Sequence, residues 1–163
     1  MEKKLLQVIR VVREEIDLYQ ALVRALEQRT DLLVEGDMPS ISANNETTET
    51  LVLKIKGRED ELQELLKSIA NELEISAEAL TLSYLARVAV LPHAAQLQAC
   101  YAALTNILVQ VKRHNHRNEV LFNHTQEYLQ VLGSLVIGTM SSYQGSGALQ
   151  PPALRTAFVS QEA

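Results

Sequence analysis

The stretch LLQVIRVVREEIDLYQALVRALEQRTDLL, residues 5–33, carries its apolar side chains at alternating steps of four and three residues. The positions that follow this spacing are Leu5, Ile9, Val12, Ile16, Tyr19, Val23, Leu26, Thr30 and Leu33. Acidic and basic residues lie on the other faces of such a helix. This spacing is typical of a coiled-coil seam and predicts a long helix that packs against other helices.

The seam stops at Gly36-Asp37, which has the composition of a helix boundary. Glycine can close one helix, aspartate can cap the next, and Pro39 is tolerated in a first helical turn. Because the connection is short, the second helix, at about residues 39–73, is expected to run back antiparallel to the first.

The second helix repeats the seam with polar interruptions at Asn45, Thr48 and Glu59, and Gly57 weakens it further. We therefore expect looser packing from about residue 44 to residue 59. Glu59 is the only acid that the spacing places at an inward position, and we expect its carboxylate to reach water at the edge of the bundle.

A short third helix, capped by Ser76 or Thr81, is expected to end before Pro92. The longest seam follows, through Leu97, Tyr101, Leu104, Leu108, Val111, Asn115, Asn118, Phe122, Thr125, Leu129, Leu132 and Val136. Beyond Gly138 the periodicity is lost. The sequence therefore predicts an all-α fold, an elongated antiparallel coiled-coil-like bundle of three long helices and one short helix over residues 1–137, with a flexible tail at 138–163.

Composition excludes several classes of function. Residues 1–78 hold 17 acids and 10 bases, and the one basic cluster, Lys112 to Arg117, has no aromatic neighbours for base stacking, so we expect no nucleic-acid binding. The uncharged segment Val88–Val111 is too polar to insert into a membrane. The single cysteine, Cys100, lies among apolar residues and is expected to be buried, which fits a cytoplasmic location.

Catalytic and metal-binding motifs are also missing from the sequence. A di-iron bundle site needs Glu-x-x-His on two different helices, whereas this chain has the reverse order, His116-x-x-Glu119 and His124-x-x-Glu127, on one helix and off its seam. We interpret both pairs as exposed polar residues. We therefore expect no enzyme activity, no metal and no cofactor.

The motif Asn115-x-x-Asn118-x-x-Leu121-Phe122 stands in the middle of the longest seam. Two asparagines at inward positions are costly unless each amide is hydrogen-bonded. They could fix the register of the helices, as buried asparagines do in coiled coils, or they could contact a partner. From the residues alone, both interpretations remain open.

An ordered set of short motifs spans most of the chain. The set comprises Gly36-Asp37, Ile55-x-x-Arg58, Asn115-x-x-Asn118-x-x-Leu121-Phe122, Tyr128-Leu129-Gln130-Val131-Leu132 and Tyr143-x-Gly145-x-Gly147. In this order the motifs resemble those of the FlgN family of flagellar export chaperones. Members of that family have an acidic helical hairpin, a long helix with Asn-x-x-Asn-x-x-Leu-Leu, and a loose tail with Tyr-Gly-x-x-Gly.

The resemblance implies a cytoplasmic type III export chaperone that binds hook-filament junction proteins, keeps them unassembled and delivers them to the flagellar export gate. The client-binding residues would be Asn115, Asn118, Leu121, Phe122, Leu129 and Leu132, and Tyr143 would contact the export-gate protein. The alternative is a generic helical adaptor or another secretion co-chaperone. A second copy could also cover the open seam, so a homodimer is possible.

Overall fold

A computed structural model describes residues 1–89 and 92–143 of the chain, with side-chain surroundings through residue 134. Four helices follow one another: α1 (Glu2–Glu35), α2 (Met38–Glu72), α3 (Leu82–Val88) and α4 (His93–Tyr143). No strand occurs in these residues. The predicted all-α fold with three long helices and one short helix is confirmed.

The turn between α1 and α2 forms as the sequence predicts. Gly36 adopts the left-handed conformation, with φ 74° and ψ 22°, and its N–H donates to the carbonyl of Leu32 at 2.9 Å. Glycine is favoured there because it has no Cβ to clash. The Asp37 carboxylate accepts the N–H of Ser40 at 3.2 Å, and this bond lowers the pKa of Asp37. The cap and the left-handed glycine together reverse the chain.

Contacts along α1 and α2 show that the two helices are antiparallel. Near the free end of the pair, Lys4 Nζ lies 2.9 Å from a carboxylate oxygen of Glu72. Further along, a guanidinium nitrogen of Arg58 lies 3.0 Å from Glu14. These ion pairs are partly exposed and contribute little to stability, so apolar packing holds the helices together.

The core consists of two clusters along α1. The first contains Leu5, Val8, Val12, Leu66, Ile69, Leu85, Leu97 and Cys100, and draws on all four helices. The second contains Tyr19, Leu22, Val23, Leu26, Ile55 and Ile107. Early residues of α4 thus pack beside the start of α1 and later ones further along it, so α4 runs parallel to α1 and antiparallel to α2.

The middle of α2 is packed as loosely as its sequence predicts. Between Asn44 and Ile55 no residue of this helix is buried. Val52 and Leu53 expose 48% and 65% of their surface. Hydrogen bonds from Arg29 of α1 to Asn44 and Thr48 connect the first turns of this stretch to α1.

The short third helix resolves the choice of cap in favour of Thr81, whose hydroxyl accepts the N–H of Tyr84 at 3.1 Å. At the other end of the chain, α4 continues through Gly138 to Tyr143, past the predicted boundary at residue 137. The chain divides into two compact units, Met1–Thr125 and Gln126–Ala163. Most of the predicted tail, residues 144–163, lies outside the described residues.

One prediction about the core is wrong. The spacing predicts Glu59 as the only acid at an inward position. The acid that is buried is Glu15, which is only 4% exposed. Glu59 is itself exposed, as expected, and accepts the hydroxyl of Tyr19 at 2.8 Å. Glu15 was missed because α1 packs against more than one helix. A second face of α1, which includes Val8 and Leu22, is therefore buried beside the predicted seam.

Candidate functional site

Asn118 lies at the packed side of α4 and is 4% exposed. The Thr30 hydroxyl donates to its side-chain oxygen at 2.6 Å, and its side-chain nitrogen donates to the carbonyl of Leu26 at 2.8 Å. Both ends of the amide are therefore paired with α1. These bonds form at only one alignment of α4 against α1, which favours the register interpretation for Asn118.

Asn115, one turn earlier, is exposed and borders a cleft between α1, α2 and α4. This Asn cleft has a volume of about 410 Å³. Its lining consists of Arg29, Leu33, Ile41, Asn45, Asn115, Asn118, Glu119 and Phe122. Three of the predicted client-binding residues thus come together in one cleft. Leu121 is half-buried and does not line it.

Arg29 supplies a positive charge to the Asn cleft, and the sequence reasoning missed it. Its Nε donates to the side-chain oxygen of Asn44 at 2.9 Å, and one Nη donates to the hydroxyl of Thr48 at the same distance. The side-chain nitrogen of Asn44 in turn donates to the carbonyl of Ala25 at 2.9 Å. Polar residues in the weak part of the α2 seam, Asn44 and Thr48, therefore hold this guanidinium. Their polar character was the one sign in the sequence that a charged group packs there.

A stripe of half-exposed, mainly apolar side chains lies on α4 beside the Asn cleft. Tyr101, Leu108 and Phe122 are each 41–42% exposed. With Asn115 they stand seven residues apart, so they share one side of the helix. We call these four residues the α4 stripe. Evenly spaced, half-exposed apolar side chains along one helix are typical of a surface that receives another helix.

The remaining predicted client-binding residues belong to the second unit. Within it, Leu129 is 56% exposed and Leu132 is 39% exposed. Val131 is as exposed as Leu129, at 56%, but points to another side of the helix. Tyr143 is the last residue of α4, and its side-chain surroundings lie outside the described residues. The predicted contact with the export gate therefore stays a prediction.

Metal-binding residues do not converge anywhere in the part of the chain that the structure describes. His116 and Glu119 are both largely exposed, with a nitrogen-to-oxygen distance of 3.9 Å. Cys100 is buried, as predicted. None of the described helices has a stretch long and apolar enough to cross a bilayer.

The chain matches the model of a known protein family. No curated protein and no solved structure matches the sequence. The family model described as FlgN protein matches residues 1–151, which cover all four helices and every motif quoted above. The capped α1–α2 turn and the asparagine motif on α4 are two of the motifs that carry the resemblance. The chain belongs to the FlgN family, a family of flagellar export chaperones.

Proposed function

We propose that this protein is a cytoplasmic chaperone that binds hook-filament junction proteins before assembly and delivers them to the flagellar export gate. Family membership supports the general role. The observation that carries the proposal is the α4 stripe, a half-exposed and mainly apolar side of a long helix at the edge of a polar cleft. An unassembled subunit has apolar helical surface that must be covered, and a helix can lie along such a stripe.

The size of the exposed surface suits a reversible complex. Fully burying a large apolar side chain is worth about 1.5–3 kcal/mol, so covering the exposed half of one contributes about 1 kcal/mol. Five such residues are available, namely Tyr101, Leu108, Phe122, Leu129 and Leu132. Together they contribute about 5 kcal/mol before the entropy of association is subtracted, so this apolar surface alone gives at most a weak complex and polar contacts at the Asn cleft must add to it.

The two asparagines have different roles in this proposal. Asn115 is exposed at the Asn cleft and has its amide available to a backbone or side chain of the client. Asn118 is already bonded to Thr30 and Leu26, so it acts as a positioning residue that holds α4 in place. The predicted client contact is thus assigned to Asn115, Leu121, Phe122, Leu129 and Leu132.

The test changes the exposed leucines to acids without disturbing the core. In the double variant Leu129→Asp/Leu132→Asp, binding of a purified hook-filament junction protein should be lost in isothermal titration calorimetry. Val131→Asp is the matched control, because Val131 is as exposed as Leu129 on another side of the helix. That control should bind as the wild type does.

Unchanged binding by the double variant would contradict the proposal. If the wild-type chain binds no junction protein and elutes as a dimer in size-exclusion chromatography, the alternative of a self-associating helical adaptor is correct instead. For the export gate, Tyr143→Ala should retain client affinity and lose binding to the purified gate protein. Equal gate binding by this variant would remove Tyr143 from the mechanism.

A further inference from the structure

Arg29 is a charged group held by neutral oxygens. Its two hydrogen bonds go to Asn44 and Thr48, and among the described residues no carboxylate lies within 4.0 Å of it. Partial burial lowers its pKa, yet a guanidinium remains protonated at any physiological pH. Arg29 therefore has no carboxylate in direct contact, although Glu119 also lines the Asn cleft.

Two other arginines of the same helix pair, Arg58 and Arg10, are arranged differently. Arg58 lies 2.6 Å from Glu61 and 3.0 Å from Glu14, and Arg10 lies 3.4 Å from Glu61. These side chains are neutralised by acids between α1 and α2. Acids also occur near Arg29 in the sequence of both helices. Its guanidinium nevertheless bonds to the amide of Asn44 and the hydroxyl of Thr48.

The contacts to Asn44 and Thr48 fix the orientation of the guanidinium. A guanidinium has five N–H donors, and these two bonds use two of them. An arginine whose plane is already fixed loses little entropy when it binds, and its paired donors match the two oxygens of a carboxylate. This is the arrangement of a receptor for an anion.

The walls of the Asn cleft suit an acidic side chain better than a bare anion. Phe122 and Leu33 provide apolar surface for an aliphatic stem, and Asn115 and Asn45 provide amide donors. Glu119 also lines the cleft, but α4 places Lys112, Arg113 and Arg117 within the preceding two turns. The net charge of that part of α4 is therefore positive.

We propose that the Asn cleft binds an aspartate or glutamate side chain of the client, with its carboxylate on Arg29. The occupant is an amphipathic helix that lies on the α4 stripe and has an acid beside its apolar face. This inference rests on the proposed function and adds a specificity element to it. The apolar stripe accepts many helices, whereas Arg29 selects those with an acid at one position.

The test measures the affinity of a purified hook-filament junction protein by isothermal titration calorimetry at 50 mM and 300 mM NaCl. Arg29→Gln should weaken binding about 10-fold or more at low salt, because a desolvated charge pair is lost. The variant should also depend less on salt than the wild type does. The control Arg24→Gln, at an exposed position of α1, should bind within about 2-fold of wild type.

A second arm separates recognition from folding, because Arg29→Gln also removes the bonds to Asn44 and Thr48. Each acid in the apolar-faced helices of the junction protein is changed to its amide, and binding is measured against wild type and Arg29→Gln. Changing the acid that binds in the Asn cleft to its amide should weaken binding to the wild-type chain about 10-fold. The same change should leave binding to the Arg29→Gln variant nearly unchanged. Far-ultraviolet circular dichroism checks that the variant remains helical.

The outcomes distinguish this inference from the proposed function. If Arg29→Gln binds as the wild type does, or if no client acid is coupled to Arg29, while Leu129→Asp/Leu132→Asp still abolishes binding, the carboxylate site is wrong and the chaperone role stands. If the wild-type chain binds no junction protein at all, both are wrong.

Discussion

The buried acid Glu15 gives the sharpest prediction about stability. Its side chain is 4% exposed, and its Oε2 has no hydrogen-bond partner among the described residues. Burial, and secondarily the negative charge of Glu59, raises the pKa of Glu15 from 4.5 to about 7. The folded protein therefore holds a proton that the unfolded chain releases near pH 4.5.

The sign of the pH dependence follows from this difference. Below pH 4.5 the Glu15 carboxyl is neutral in both the folded and the unfolded state. Its ionisation then does not affect the free energy of unfolding. As the pH rises toward 7, the Glu15 carboxyl ionises in the unfolded chain but stays protonated in the folded protein, so the free energy of unfolding falls. A pKa raised from 4.5 to about 7 corresponds to about 3 kcal/mol at most. Because Glu59 is exposed and solvent screens its charge, we expect about 2–3 kcal/mol.

The substitution Glu15→Gln removes the charge and keeps the shape. At pH 8 it should raise the free energy of unfolding by about 2–3 kcal/mol, and at pH 4.5 by less than about 0.5 kcal/mol. The assay is urea unfolding followed by circular dichroism at both pH values. Asp17→Asn, at an exposed position two residues away, is the control and should change stability by less than about 0.5 kcal/mol.

An equal effect of Glu15→Gln at pH 8 and pH 4.5 would refute this reasoning, because a neutral carboxyl and an amide differ little in the buried site. Destabilisation at pH 8 would also refute it. That result would mean that the ionised carboxylate has a stabilising partner in the folded protein.

Other substitutions test the connections between the helices. Asn118→Ala should lower the free energy of unfolding by about 2 kcal/mol, because the Thr30 hydroxyl loses its partner on α4, whereas Asn106→Ala, at an exposed position of α4, should change it by less than about 0.5 kcal/mol. Equal effects in chemical unfolding would show that the amide does not fix α4. Gly36→Ala should cost about 1 kcal/mol, because φ is 74° there. Gly57→Ala, at a helical position with open space around it, should stabilise by about 0.5–1 kcal/mol, and a loss of stability there would contradict the helical account of α2.

Local signals made most of the fold predictable. The four-three spacing sets the face of α1, Gly36 and Asp37 set its end, and Pro92 marks the start of α4. Each of these depends on a few neighbouring residues. The inward position of Asn118 could be predicted from its spacing in the same way. Its hydrogen bond to Thr30 could not, because the alignment of α1 and α4 is not contained in the spacing within either helix.

The remaining features depend on which helix packs against which face. Glu15 lies off the seam and is buried because α1 has neighbours on two sides. Arg29 lies off the seam as well, and its bonds to Asn44 and Thr48 required the pairing of α1 with α2. The end of α4 was placed too early by the loss of periodicity after Gly138. A single glycine costs a helix only about 1 kcal/mol, and no proline follows before Pro151.

Amide hydrogen exchange of the full chain with and without a purified hook-filament junction protein tests the central claim most directly. The account predicts slower exchange on binding in the α4 segment around Asn115 and Phe122 and in the α1 segment around Arg29. It predicts no change in the α1 segment around Arg13, whose side chain is exposed on another face. Two results would contradict the account. One is slower exchange elsewhere in the chain with no change in α4, and the other is unchanged exchange throughout although the junction protein binds.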